Sequence, residues 1–84
     1  MKLLDKRLGV IGIIVNNIEN SKEVNDVLHN FSDIIVGRMG IPYKERKVSV
    51  ISLIVDGSMD DISAMTGKLG NIKNISVKSA ISKK

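Results

Sequence analysis

The chain is 84 residues long, 43% hydrophobic and only 2% aromatic, with a formal net charge of +4 and no cysteine. That length gives one expected domain, spanning residues 1–84; the missing thiols exclude disulfides, thiolate metal sites and cysteine nucleophiles, and suit a reducing cytoplasm. The lysines and arginines are scattered and the only large aromatics are Phe31 and Tyr43, so a nucleic-acid surface is not expected.

The first element is an apolar run over 7–15 that follows a charged start. It is too short to cross a bilayer and no small-residue cleavage site follows it, so neither a membrane span nor a signal peptide is expected. It reads as a strand. Asn16, Asn17 and Asn20 then mark a turn, because asparagine tolerates unusual backbone angles. Asn20, with Glu23 three residues on, has the spacing of a capping box. Val24, Val27, Leu28 and Phe31 recur at i, i+3, i+4 and i+7, which places a helix over 21–31. Residues 34–36 begin a second strand that Gly37 and Gly40 interrupt and Pro42 halts, a composition suited to a bulged or edge strand. Lys44, Glu45, Arg46 and Lys47 form a polar loop. A third strand covers 48–56, and Gly57 turns the chain. Ser58 caps a second helix with Asp61 in its acidic first turn and Ile62, Met65 and Leu69 on its apolar face. Gly70 is a helix stop; Gly67 weakens the helix or permits close packing. A fourth strand runs over 74–82, with Ile75, Val77 and Ile81 on one side and Ser76 and Lys78 on the other.

Strand, helix, strand, strand, helix, strand is the split βαβ order of a ferredoxin-like α+β sandwich: an antiparallel four-stranded sheet with two helices on one face. Right-handed crossovers put strands one and three at the centre. Those two strands are apolar on both faces, whereas a strand covering one core should alternate. Ile11, Ile13, Val15, Ile51, Leu53 and Val55 are assigned to the helix side, because that set has no small gap. Val10, Gly12, Ile14, Val50, Ser52 and Ile54 then form the open side. An 84-residue chain has too few elements to cover both sides, and an apolar patch of that kind is avoided by monomers. A second copy of the chain is the expected cover, giving a homo-oligomer, dimer or tetramer, with these six residues as its interface.

Reactive constellations are sparse. His29 is the only histidine and reads as a surface residue, since neither cysteine nor a second histidine can complete a site with it. Asp60 and Asp61 fit a helix first turn better than a metal site. No triad or nucleophile motif occurs, so no catalytic residue, metal or cofactor is expected, nor an enzyme. The stretch 67–70 has the GxxG spacing of nucleotide-clamping loops but the wrong strand–helix order. Strands one and three lack the base-stacking aromatics of RNA-recognition domains. The segment from Gly37 to Tyr43 is the least ordinary. Its glycines would let a backbone approach a ligand or partner, and Arg38 would bind an anion, or the segment is simply a bulged edge strand with a solvated arginine.

Leu28-His29-Asn30-Phe31, Asp33-Ile34, Arg38, Gly40-Ile41-Pro42 and Gly67-Lys68-Leu69-Gly70, in that order and spacing, resemble the small regulators assigned to the iron-only hydrogenase system. The resemblance runs from about Lys6 to Lys78. It implies a ferredoxin-like, ACT-type domain similar to the ligand-sensing half of the nickel-responsive repressor, and it brings no catalytic residues. The alternating histidines of that repressor's metal-binding strand have no counterpart in Ser52-Leu53-Ile54-Val55-Asp56, so nickel sensing by that route is not expected. The residues before Arg7 are too few for its DNA-binding segment. Regulation would then act through a protein partner or a small-molecule effector that changes assembly. ACT-type domains often hold small molecules between subunits near the turn after strand one. On that resemblance Asn16, Asn17 and Asn20, with Gly37, Arg38 and Gly40 from the neighbouring segment, are the candidate ligand contacts. The competing reading is a structural protein-interaction or assembly factor without a small ligand.

Overall fold

A computed structural model describes residues 6–83. Strand β1 (Lys6–Val15) leads through a short 3-10 turn, Ile18–Asn20, into helix α1 (Ser21–Asn30). A second 3-10 turn, Ser32–Ile34, precedes β2 (Ile35–Tyr43), and a third, Lys44–Arg46, joins it to β3 (Val48–Ser58). Helix α2 (Met59–Gly70) and β4 (Ile75–Ile81) complete the chain. All neighbouring strands are antiparallel, in the order β2-β3-β1-β4. This is the α+β ferredoxin-like arrangement, with the two doubly apolar strands at the centre.

The register explains the core. Ile11 lies opposite Leu53 and Ile13 opposite Ile51. Every second residue of β1 and β3 therefore faces the helices, and Ile11, Ile13, Val15, Ile51, Leu53 and Val55 are all buried to 6% exposure or less. Val24 and Leu28 of α1 and Ile62, Met65 and Leu69 of α2 close over them. No polar or charged side chain is buried among the described residues. Ser58 caps α2 as expected, its Oγ accepting from the Asp61 N–H at 3.0 Å.

Five local expectations are corrected. β2 is not halted by Pro42 but pairs with β3 as far as Tyr43. A register shift between Ile35 and Gly37 absorbs the irregularity as a bulge. Pro42 is accepted because an edge strand has hydrogen bonds to make on one side only. Gly57 is a strand residue opposite Arg7 rather than a turn. A Cβ on it would lie 2.7 Å from Ile34 Cγ2 and 2.9 Å from Ile34 Cβ, so the glycine serves close approach. Asn20 makes no side-chain cap to the α1 backbone; its Nδ2 donates to Glu23 Oε1 at 2.8 Å, while Asn17 Oδ1 accepts from the Glu19 N–H at 3.0 Å and caps the preceding 3-10 turn. Gly70 is still helical and Asn71 follows as the cap, its N–H donating to the Gly67 carbonyl at 3.2 Å. Gly67 faces open space, so close packing is not its purpose.

Candidate functional site

The pleat that buries one face of the sheet leaves the other bare. Leu8, Val10, Ile14, Val50 and Ile54 are between 41% and 56% exposed on the side away from the helices. Edge strand β2 widens this surface, because the register sets Ile41 beside Val50, Met39 beside Ser52 and Tyr43 beside Val48. The expected interface residues form three adjacent cross-strand pairs at its centre: Ile14 with Val50, Gly12 with Ser52, and Val10 with Ile54. The middle pair is small and lies between two branched ones. There the surface dips into a depression of about 230 Å³, walled by Ile14, Val50, Ser76 and Lys78 around Gly12. Lys78, on edge strand β4 opposite Gly12, supplies its one charge.

The glycines of the sheet divide by what surrounds them. A Cβ on Gly9 would sit 2.6 Å from Ile81 Cδ1 and 3.2 Å from the Ala80 carbonyl oxygen, and Gly57 is crowded by Ile34. Their own fold demands them. A Cβ on Gly12 would meet nothing within 4 Å, and none of the described glycines has a positive φ. Glycine inside a central strand costs about 0.5–1 kcal/mol relative to alanine through chain entropy, so Gly12 keeps a cost that no contact within the protomer explains.

A second site lies on the helix side of β2. Arg38 pairs with Leu53 and so points toward α1. Its Nη2 donates to Asn25 Oδ1 at 3.0 Å. Asn25 is itself held: its Nδ2 donates to the Ser21 carbonyl one turn earlier, also at 3.0 Å. To one side of this link is a cavity of about 160 Å³, floored by Val15 and Ile51 and rimmed by Ser21, Asn25, Gly40 and Ser49. To the other side a wider groove of about 570 Å³ runs past Leu28, His29, Ser32 and the bulge at Val36 and Gly37. Arg38 and Asn25 border both, and neither wall contains a carboxylate.

Of the six candidate ligand contacts, Arg38 borders both cavities, Gly40 lines the smaller and Gly37 the wider. Asn16, Asn17 and Asn20 border neither cavity. The Asn16 N–H donates to the Asn74 carbonyl at 2.8 Å, Asn17 caps its turn, and Asn20 Oδ1 accepts from Asn74 Nδ2 at 3.4 Å. Asn25 is the groove residue that sequence reasoning passed over. Its signal was a polar pair, Ser21 and Asn25, spaced i, i+4 along α1. Among the described residues no three of His, Asp and Glu converge as a metal site. No described helix is long and apolar enough to cross a membrane.

A family model described as "TM1266-like: Iron-only hydrogenase system regulator, putative" matches residues 7–79. Among solved structures, the uncharacterized protein TM1266 from Thermotoga maritima is 37% identical, with a TM-score of 0.88 over 93% of this chain and 99% of that one. A formyltetrahydrofolate deformylase from Pseudomonas putida KT2440 has a TM-score of 0.63 at 5% identity, over 87% of this chain and 28% of that one. The apo form of CPII, a nitrogen regulatory PII-like protein from Thiomonas intermedia K12, has a TM-score of 0.53 at 10% identity, over 90% and 91%. The last two likenesses are of fold alone. None of the curated proteins matches the sequence.

Proposed function

The chain belongs to the TM1266-like family, and from that premise we propose that it is a regulatory module of the iron-only hydrogenase system that works by assembling with copies of itself. Assembly uses the open sheet face, and a small-molecule effector held on the helix side of β2 adjusts it. The observation that carries this reading is Gly12, a central-strand glycine with empty space around it at the middle of an apolar face. Surface area supports a second copy as the cover. The eight apolar side chains from Leu8 to Ile54 on this face expose roughly 700 Å² at ordinary side-chain areas, more than the few-hundred-Å² patches usual on monomers. Each partner in a standard interface contributes about 800 Å². A face of one sign of charge would repel its copy, but this one carries both signs, Lys78 near its centre and Lys6 with Asp56 at one end beside Leu8.

Sedimentation velocity tests the reading. Wild-type protein at tens of micromolar is expected to run as a dimer or larger, and Ile54→Lys as a folded species of 9.2 kDa, because it sets an unpaired charge in the buried centre. A wild-type chain that stays at 9.2 kDa at every concentration refutes it. A stable assembly that responds to no small molecule favours instead a structural interaction or assembly factor.

A further inference from the structure

We propose that the groove between α1 and β2 is an anion site in which Arg38 receives the carboxylate or phosphate group of a small effector. This rests on the regulatory reading above and adds the chemistry of the effector. Arg38 is exposed and lies beside a neutral partner, the Asn25 amide. Among the described residues no carboxylate lies within ion-pair distance of it. The guanidinium is therefore oriented without being neutralised. Asn25 does the orienting, and its amide has only one sensible orientation: Nδ2 is spent on the Ser21 carbonyl, so Oδ1 must face the arginine. One hydrogen bond to Asn25 leaves most of the five N–H donors of the guanidinium fork for a bidentate partner.

The walls fit the same ligand. Beside Arg38 they offer the hydroxyls of Ser21, Ser49 and Ser32 and the imidazole of His29, and they hold no acidic side chain to repel an anion. Gly40, opposite Ile51 on the helix side, repeats the logic of Gly12: a Cβ there would meet only Ile51 Cγ1 at an ordinary 3.7 Å, so the protomer does not require the glycine, and it keeps the backbone beside Arg38 bare. Size narrows the class. The cavity beside Arg38, at about 160 Å³, is well under the ~300–1,000 Å³ of sites for drug-sized ligands, so it takes an anionic head group, and any remainder runs past Arg38 into the wider groove.

The test is an amide-resolved NMR titration of the full chain at constant ionic strength, with inorganic phosphate in one arm and acetate in the other. Saturable shifts confined to residues 37–40 and the Asn25 side-chain amide are expected in at least one arm, and the arm that saturates identifies the group. Arg38→Met is expected to weaken binding by about tenfold, as loss of a charge-assisted bidentate contact does. Gly40→Val, which places a branched side chain in the cavity, should weaken it as well, whereas Arg46→Gln should leave it unchanged. The proposal is overturned if neither anion gives saturable shifts, if Arg38→Met binds as well as wild type, or if Arg46→Gln loses as much as Arg38→Met, the mark of general charge attraction. Sedimentation of the same sample separates the two readings. An assembled chain that ignores both anions defeats the groove alone, and an anion-binding chain of 9.2 kDa defeats self-assembly alone.

Discussion

Replacing Gly12 with valine separates what the protomer needs from what an assembly needs. Within one copy the new side chain enters open space, since nothing lies within 4 Å of the Cβ position, and the residue lies in a regular strand between Ser52 and Lys78. Valine favours such a position, and removing a glycine also reduces the freedom of the unfolded chain. Together these should stabilise the isolated protomer by about 0.5–1 kcal/mol. In the assembly the same side chain fills the depression that a second copy would enter. Extra volume at a close-packed boundary costs about 1–3 kcal/mol, and in a two-fold dimer each copy brings the change to the same interface. Even the lower end, about 2 kcal/mol for the pair, raises the dimer Kd about 30-fold. Sedimentation equilibrium reads the second effect, and urea unfolding below the dissociation concentration reads the first. The expected result is opposite signs: a protomer harder to unfold and an assembly easier to separate. If Gly12→Val associates as tightly as wild type, the depression is not at the subunit boundary and the reasoning fails.

Gly57→Ala should lower unfolding stability by about 1–3 kcal/mol in the same urea experiment, because Ile34 Cβ, 2.9 Å from the new methyl, is too close to its backbone to swing aside. Gly9→Ala should cost less, since its nearest obstacle at 2.6 Å is the terminal Cδ1 of Ile81; a larger loss at Gly9 than at Gly57 would contradict this. Ser58→Ala removes the α2 cap and should cost about 1 kcal/mol, which calorimetry would read as a Tm lowered by about 4–8 °C in a domain this small.

Much of the fold was legible because its main signals are periodic and local. Period two on β1 and β3 identified the buried six before any pairing was known, and their double-sided apolar character placed them at the centre of the sheet. Ser58 with Asp61 announced the start of α2. What escaped was decided by contacts distant in sequence. Gly37, Gly40 and Pro42 look like breakers to a reader of β2 alone; pairing to β3 through Tyr43 overrides them. Gly57 looks like a turn until Ile34, twenty-three residues earlier, is seen against it. The candidate ligand contacts divided for the same reason. Arg38 and Gly40 share a groove because the strand continues past Val36, and the asparagines after β1 fell outside it because they are occupied with caps and with Asn74. Asn25 became visible only once β2 had been drawn along α1.

Strand β2 has one further consequence. Odd-numbered side chains from Met39 to Tyr43 look outward from the sheet, and Arg38 with Gly40 looks back toward α1. The proposed anion contact and the proposed assembly face would thus occupy opposite sides of a single ribbon, one peptide thick, that is tethered along one margin only. Information has no interior to traverse. A lean of this ribbon toward a bound anion would tilt the outer side chains in the same movement, and because thermodynamic coupling is mutual, a partner gripping those outer side chains would then alter the grip on the anion by an equal factor.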